Sequence, residues 1–144
     1  MKPLSSFLAI LICSFVCTVL TTQTAMGRMV FDNWNTDACD MTDTAVFTLD
    51  RPIRADRIEV WYRWHNHEGS IRYSLLSMDG QVLRSGILIR SSCDPYQEKW
   101  CGAVDGFDFL LYPGTYTIRT ERPRICQNQG SYGNGFVKVY GSRR

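Results

Sequence analysis

Apolar and polar side chains alternate along much of the chain, which is the pattern of strands with one buried face. Residues 57–64 place apolar side chains on one face and charged side chains, together with Trp61, on the other. Residues 115–121 show the cleanest alternation, with Tyr116 and Ile118 inward. The inward positions of residues 57–64 are Ile58, Val60, Tyr62 and Trp64. Both runs predict strands that cover a hydrophobic core.

Turn-forming residues separate these two strands from four further strand-like runs. Asp79-Gly80 is typical of a type I′ hairpin turn, and Pro113-Gly114 suits a type II turn because glycine accepts positive φ. No stretch of helix length after Gly27 has a helical period. The further runs are residues 71–77, 82–89, 107–112 and 135–140, and the strand-like character begins at Val46. The sequence therefore predicts an all-β domain, a single antiparallel β-sandwich of jelly-roll or immunoglobulin-like type.

Three stretches between the predicted strands lack a regular pattern. They are residues 32–43, 91–105 and 122–134. Binding residues on a rigid scaffold lie mostly in loops, so we expect any functional site to be built from these stretches.

The first residues have the composition of a secretory leader. Lys2 supplies a positive charge, and the apolar run 7–20 has the length of a signal core and is shorter than a membrane span. Small residues before Arg28 place the cleavage there, with cleavage after Ala25 as an alternative. The other interpretation is an N-terminal anchor helix. We predict a secreted or periplasmic protein with no membrane span after cleavage.

This leader divides the chain into a signal peptide, residues 1–27, and one domain, residues 28–144, which is long enough for a core. The chain is 44% hydrophobic, which is too apolar for a disordered protein. The formal net charge is +2, and removing Lys2 lowers it by one. Proteins held to phosphates need a basic excess, so the sequence argues against nucleic acid as a partner.

Four cysteines follow the predicted leader, and an even number in an exported domain is typical of disulfides. They are Cys39, Cys93, Cys101 and Cys126. Three pairings are open. We favour Cys93–Cys101, which would pin a local excursion, and Cys39–Cys126, which would tie the N-terminal segment to the last loop. The alternative is a zinc site made of all four thiolates, but the closely spaced cysteine pairs of such sites are absent.

The stretch of residues 32–43 concentrates aspartates and asparagines around Trp34. Hard oxygen ligands at this spacing could hold Ca2+, although the glycine and the terminal glutamate of an EF-hand loop are missing. The alternative is a loop in which these side chains cap backbone N–H groups. We assign no cofactor and keep Ca2+ as the open alternative.

Both histidines lie within residues 65–68. On a strand, His65 and His67 would share a face and could bind zinc or copper, but no third ligand is indicated. The following Gly69 favours the alternative, a solvated hairpin end. We therefore assign no metal site.

Aromatic side chains surrounded by amides are the strongest indication of a binding site. A flat ring can stack on the apolar face of a sugar while amides and carboxylates bind its hydroxyls. The candidate ligand-binding residues are the aromatics Trp34, Tyr96, Trp100 and Tyr132 and the amides Asn33, Asn35 and Asn128. The alternative is that Trp34 and Trp100 fold inward as loop plugs, because aromatic side chains bury large areas.

Four motifs carry a family resemblance: residues 31–35 with Cys39, residues 47–49, residues 112–118, and the closing residues 135–141. They resemble small secreted bacterial β-sandwich domains of uncharacterised function. Residues 112–118 are also similar to late strands of pre-peptidase C-terminal and other jelly-roll modules that accompany secreted enzymes. The resemblance implies a bacterial exported module and carries over no site residues.

Catalytic signatures are absent, including a nucleophile elbow, a zinc-protease helix motif, a phosphate-binding loop and C-x-x-C. We therefore predict a binding module and not an enzyme. Its expected ligand is a glycan or another cell-envelope component, bound through the loop aromatics. The alternative is a protein-interaction module, such as an inhibitor, an immunity protein or an accessory subunit, with an envelope protein as partner. It would use the segment from Ser91 to Asp105 or the Trp61 face.

Overall fold

The computed structural model describes residues 27–143, so the predicted signal peptide lies outside the described residues except for Gly27. The strands are β1 Arg28–Asp32, β2 Asp40–Thr42, β3 Thr44–Leu49, β4 Ile53–Arg63, β5 Ser70–Ser77, β6 Val82–Cys93, β7 Trp100–Leu111, β8 Gly114–Thr120, β9 Ile125–Gln127 and β10 Val137–Arg143. A 3-10 turn covers Gln129–Ser131. Within the described part of the chain, no helix is long and apolar enough to cross a membrane.

The strands form one continuous antiparallel sheet in the order β1-β10-β4-β7-β6-β5-β8-β3. β2 pairs with β9, which joins the sheet beside β4. The sheet curls until its two end strands meet, with the rings of Phe31 on β1 and Phe47 on β3 6.0 Å apart. The predicted all-β antiparallel class is confirmed. The predicted two-sheet sandwich differs from this arrangement, because neighbouring strands pair along the whole path and leave no clear division into two sheets.

The core lies inside the curl and follows the predicted alternation. Ile58, Val60 and Tyr62 of β4 are fully buried, and the adjoining Trp64 is 2% exposed. On β8, Ile118 is buried as well, and Tyr116 stacks on Phe47 across the β3–β8 pair with ring centroids 5.4 Å apart. The period of two therefore identified both the strands and their inward faces.

The hairpin turn at Asp79-Gly80 differs from the predicted type I′ turn. Gly80 has a φ of 83°, but Asp79 is not among the described residues with positive φ, and type I′ requires both. Instead, the N–H of Gly80 donates to Ser77 O at 3.0 Å, and the N–H of Ser77 donates to Gln81 O at 2.9 Å. These bonds make a three-residue loop that ends in a left-handed glycine.

The predicted loop from Ser91 to Asp105 is mostly strand. β6 continues to Cys93 and β7 begins at Trp100, so only residues 94–99 form the hairpin tip. The reason is strand pairing: Cys93 lies directly opposite Cys101, and their Cα atoms are 3.8 Å apart. The disulfide therefore joins two paired strands at the base of a short tip, residues 94–99, and the excursion that it closes is shorter than the predicted loop.

Three short strands fall outside the predicted set. β1 begins at Arg28, before the region in which alternation is clear, and β2 and β9 have only three residues each. A three-residue strand is too short to show a period of two in sequence. Their pairing depends on partners distant along the chain, since β2 pairs with β9 and β1 pairs with β10.

The strand registers give the curled sheet two different ends. At the turn end, strands are joined by short turns at residues 50–52, 78–81 and 112–113. At the loop end, longer connections meet at residues 33–39, 64–69, 94–99 and 121–136. Both disulfides lie at the loop end, where Cys39 pairs with Cys126 and Cys93 pairs with Cys101, the pairing that the sequence favoured.

Candidate functional site

A groove with a volume of about 490 Å³ opens at the loop end, and we call it the tryptophan groove. Its aromatic lining consists of Trp34, Trp61, Trp100 and Phe136. Its polar side chains include Asn35, Asp37, Asp94 and Gln97. The groove thus combines apolar ring surface with hydrogen-bonding side chains from two separate loops, residues 33–39 and 94–99.

Three different elements bring the tryptophans together. Trp61 lies on the outward face of β4, Trp100 is the first residue of β7, and Trp34 follows the end of β1. The rings of Trp34 and Trp61 are 5.2 Å apart and tilted by 55°, a favourable geometry for aromatic pairs. Phe136 supports Trp34 with nearly parallel rings 6.5 Å apart. The Lys138 ammonium lies 3.9 Å from the Trp34 ring centroid.

The candidate residue Asn33 holds the scaffold together beside the groove. Its side-chain N–H donates to Gly135 O at 3.0 Å, and its side-chain oxygen accepts from the N–H of Val137 at 2.8 Å. Both ends of the amide are therefore engaged by backbone. Asn33 fixes the end of β1 to the start of β10, which positions the following Trp34.

Asn35 and Asn128 pair with each other through their amides. Asn35 Nδ2 donates to Asn128 Oδ1 at 3.0 Å, and Asn128 Nδ2 donates to Asn35 Oδ1 at 2.7 Å. Asn128 is 7% exposed, and its side chain also caps the 3-10 turn by accepting from the N–H of Ser131. This pair ties the loop at residues 33–39 to the turn before β10. Asn35 still contributes to the groove lining.

The two candidate tyrosines lie outside the groove lining. Tyr96 at the tip of the β6–β7 hairpin is 94% exposed, and Tyr132 after the 3-10 turn is 92% exposed. Trp34 and Trp100 do converge, and they are joined by Trp61, which the sequence placed on a separate surface. Local pattern placed Trp61 on the outward face of its strand but could not show that β7 would bring Trp100 beside that face.

The acidic stretch forms local turns. Asp32 Oδ1 accepts from the N–H of Trp34 at 2.9 Å, and Asn35 Oδ1 accepts from the N–H of Asp37 at 3.0 Å. This is the backbone capping that the sequence offered as the alternative to Ca2+. Among residues 27–143, no three His, Cys, Asp or Glu side chains are grouped so that they could hold a metal ion.

The two histidines follow the end of β4 and do not lie on a strand. The N–H of His65 donates to Glu68 Oε2 at 2.9 Å, and His67 has a φ of 66° in the left-handed region. The turn between β4 and β5 therefore removes the shared strand face that a metal pair would have required.

A second opening of about 470 Å³ lies at the same end, and we call it the cationic groove. Its charged lining comes from Arg63, Lys99, Arg122 and Arg124, next to His65. Trp64, Met41 and Pro123 supply apolar surface. The cationic groove concentrates positive charge in a domain whose overall charge is close to neutral.

Glu68 is the carboxylate beside the cationic groove. Its two oxygens pair with Arg122 Nη1 at 2.9 Å and Arg124 Nη1 at 2.8 Å. Partial burial acts to raise the pKa of Glu68, but the hydrogen bond from the His65 N–H and the charges of Arg124 and Arg122 outweigh it and hold the pKa below its ordinary value. Glu68 thus remains ionised and organises two of the cations.

The chain matches no protein-family model and no curated protein sequence. The arrangement itself offers aromatic faces, carboxylates and amides in one groove, and guanidinium and ammonium groups in the other. The first set suits a ligand with both apolar faces and hydroxyl groups, and the second suits oxyanions.

Proposed function

We propose that this protein is a non-catalytic binding module that recognises a glycan in the tryptophan groove. The observation that carries the proposal is the convergence of Trp34, Trp61 and Trp100 on one open groove. A sugar ring has apolar C–H faces that stack on aromatic rings, and a rim of hydroxyls. Asp94 and Gln97 line the same groove and can bind those hydroxyls.

The groove walls are restrained before any ligand binds. Cys39 in the lining is linked to Cys126, and the Cys93–Cys101 disulfide holds the hairpin that carries Trp100. Restraint of this kind lowers the conformational entropy that ligand binding would otherwise cost. Disulfides persist in oxidising compartments, which together with the leader pattern supports a secreted or periplasmic location.

Glycan binding is tested with the oxidised chain, residues 28–144, on a broad glycan array that includes peptidoglycan and lipopolysaccharide fragments. Affinities of the hits are then measured by calorimetry. Trp100→Ala should weaken binding by about 1–3 kcal/mol, as truncation of an aromatic anchor does. The matched control is Tyr132→Ala, which removes an exposed aromatic ring outside the groove lining and should leave affinity unchanged. Equal affinity of Trp100→Ala and the unmodified chain would remove Trp100 from the site.

A second candidate function, protein interaction, is favoured by the β6–β7 hairpin tip. Tyr96 is 94% exposed there, and the tip is closed by the Cys93–Cys101 disulfide. An exposed aromatic on a restrained loop is typical of an anchor that enters a partner's cleft. Such a partner would be lost with Tyr96→Ala and retained with Trp100→Ala. Glycan binding predicts the opposite order.

A further inference from the structure

The two grooves adjoin each other. Arg63 of the cationic groove lies directly opposite Trp100 of the tryptophan groove in the β4–β7 pair, on the same face of the sheet. Lys99 immediately precedes Trp100 in the chain. A ligand that stacks on Trp100 therefore has two cations beside it, within the reach of one substituent or one neighbouring sugar unit.

Among residues 27–143, no carboxylate forms an ion pair with either of those two cations. Glu68 pairs with Arg122 and Arg124, whereas Arg63 and Lys99 have no ion-pair partner in the described part of the chain. Both are exposed, and both line a concave surface together with the two paired arginines. Like charges gathered in a concavity repel one another and attract an anion from solution.

The charged side chains that line the tryptophan groove have the opposite sign, and the nearby Lys138 ammonium lies against the Trp34 ring without being part of that lining. Asp37 and Asp94 line the groove, so an anionic substituent is disfavoured beside them. The same substituent is attracted toward Arg63, whose guanidinium can bind an oxyanion through two parallel hydrogen bonds. The separation of charge would therefore orient an acidic ligand, with its ring over Trp100 and its acid group in the cationic groove.

We infer that the cationic groove is an oxyanion site, and that the ligand is an acidic glycan bearing carboxylate, sulfate or phosphate groups. The inference rests on the proposed glycan function and names the class of glycan. Arg63 and Lys99 bind the acid group directly. Glu68 holds Arg122 and Arg124 at the wall of the same groove.

The test compares matched acidic and neutral probes by calorimetry on the oxidised chain, residues 28–144. The pairs are oligogalacturonate and its methyl ester, dextran sulfate and dextran, and phosphorylated and dephosphorylated mannan, which separate the three oxyanions. At low salt, the acidic member of at least one pair should bind about tenfold more tightly, and this preference should shrink as salt rises. Trp100→Ala should weaken the same binding.

The double variant Arg63→Gln/Lys99→Gln should abolish the preference for the acidic member. Its matched control is Arg119→Gln/Arg143→Gln, which removes the same charge from exposed positions outside both grooves and should keep the preference. Circular dichroism checks that each variant is folded. Loss of the acidic preference in the first variant, together with an unchanged preference in the second, supports the inference.

The contrary outcomes are distinguishable. Equal binding of acidic and neutral members, lost in Trp100→Ala, overturns the inference and leaves the glycan function standing. Acidic probes that bind independently of Trp100 overturn the joint site and the proposed function. No binding of any probe overturns both. A single-stranded oligonucleotide that binds as tightly as the acidic glycans, and is lost in the Arg63→Gln/Lys99→Gln variant, overturns the assignment to a glycan.

Discussion

The two ends of the curled sheet are closed in different ways. At the turn end, strands are joined by connections of two to four residues, and no disulfide lies there among the described residues. At the loop end, longer irregular segments carry both disulfides, the tryptophan groove and the cationic groove. Regular turns are stabilised by their own hydrogen bonds, whereas irregular loops need added links to hold one conformation.

This difference explains the asparagines of the loop end. Irregular backbone leaves N–H and C=O groups without strand partners, and side chains must satisfy them. Asn33 and Asn128 serve that purpose, and Asn128 forms a capping box with Ser131. Asn33 and Asn128, which the sequence predicted as ligand-binding amides, are therefore part of the framework that holds the tryptophans.

The largest expected effect comes from removing the long-range disulfide of the loop end. Cys39 and Cys126 are separated by 87 residues, whereas Cys93 and Cys101 are separated by 8. In the chain-entropy model, Cys39→Ala/Cys126→Ala lowers the free energy of unfolding by up to about 4.6 kcal/mol, and Cys93→Ala/Cys101→Ala lowers it by up to about 2.6 kcal/mol. Urea denaturation of the three proteins measures both. A larger loss of unfolding free energy in Cys93→Ala/Cys101→Ala than in Cys39→Ala/Cys126→Ala would contradict the chain-entropy model.

The sequence predicted some strands of this sheet and missed others. Alternation predicted β4 and β8 with their inward faces, because a period of two depends only on neighbouring residues. It missed β2 and β9, which depend on pairing between segments far apart in the chain. The curl of the sheet is likewise a property of all the strand pairs together. No local pattern contains it.

The sequence indicated some of the residues of the candidate site but not which of them the fold brings together. Trp34 and Trp100 were singled out, and the structure brings them to one groove. Trp61 was assigned to another surface, because its place beside Trp100 follows from the β4–β7 register. Exposed tyrosines such as Tyr96 carry the same sequence signal as the tryptophans, so sequence could not separate them from the groove.

Between the two ends, a half-buried polar cluster around the buried Tyr73 allows the contribution of the middle of the sheet to be measured. The Tyr73 hydroxyl donates to Asp105 Oδ2 at 2.7 Å, and Arg84 pairs with the same oxygen at 3.1 Å. Tyr73→Phe should lower the free energy of unfolding by about 1.5–3 kcal/mol, as expected for a hydrogen bond to a charged group. Tyr116→Phe, whose hydroxyl donates to the neutral Tyr112 O, should cost only about 1 kcal/mol.

The Tyr73 contribution should also depend on pH. Burial raises the pKa of Tyr73 above its ordinary value of 10.0, and the hydrogen bond to Asp105 acts in the same direction. A raised pKa stabilises the fold fully below pH 10, and this contribution is lost as pH rises toward the pKa of the folded state. The difference in urea midpoint between the native chain and Tyr73→Phe should therefore be smaller above pH 10 than at pH 7. A constant difference would rule out the linkage.

Two glycines give a matched comparison of backbone strain at the two ends. A Cβ added at Gly69 or at Gly80 meets no atom within 4 Å, but only Gly80 has positive φ, at 83°. Gly80→Ala at the turn end should therefore cost about 1–2 kcal/mol. Gly69→Ala at the loop end should be neutral or stabilise by up to about 1 kcal/mol, because it restricts the unfolded chain. Thermal unfolding measures both effects. Equal destabilisation by Gly80→Ala and Gly69→Ala would show that packing, and not φ, determines the cost of the added methyl group.

The smallest expected effect concerns carboxylates at the two ends. The pKa of Glu68 is held below its ordinary value of 4.5, so its contribution to stability is full above pH 4.5 and is lost as pH falls through the lowered pKa. Glu68→Gln should therefore cost less than about 1 kcal/mol at pH 7 and less still at pH 3. Asp79 at the turn end also has a lowered pKa, because the Ser77 hydroxyl donates to it.

Asp79→Asn is the matched control, since this carboxylate is exposed and has no cation partner in the described residues. Urea midpoints at pH 7 and pH 3 separate the two. The loop end should show the larger pH-dependent difference, because Glu68 binds two guanidinium groups whereas Asp79 accepts only neutral hydrogen bonds. An equal or larger effect at Asp79 would mean that the ion pairs of the loop end position Arg122 and Arg124 without stabilising the fold.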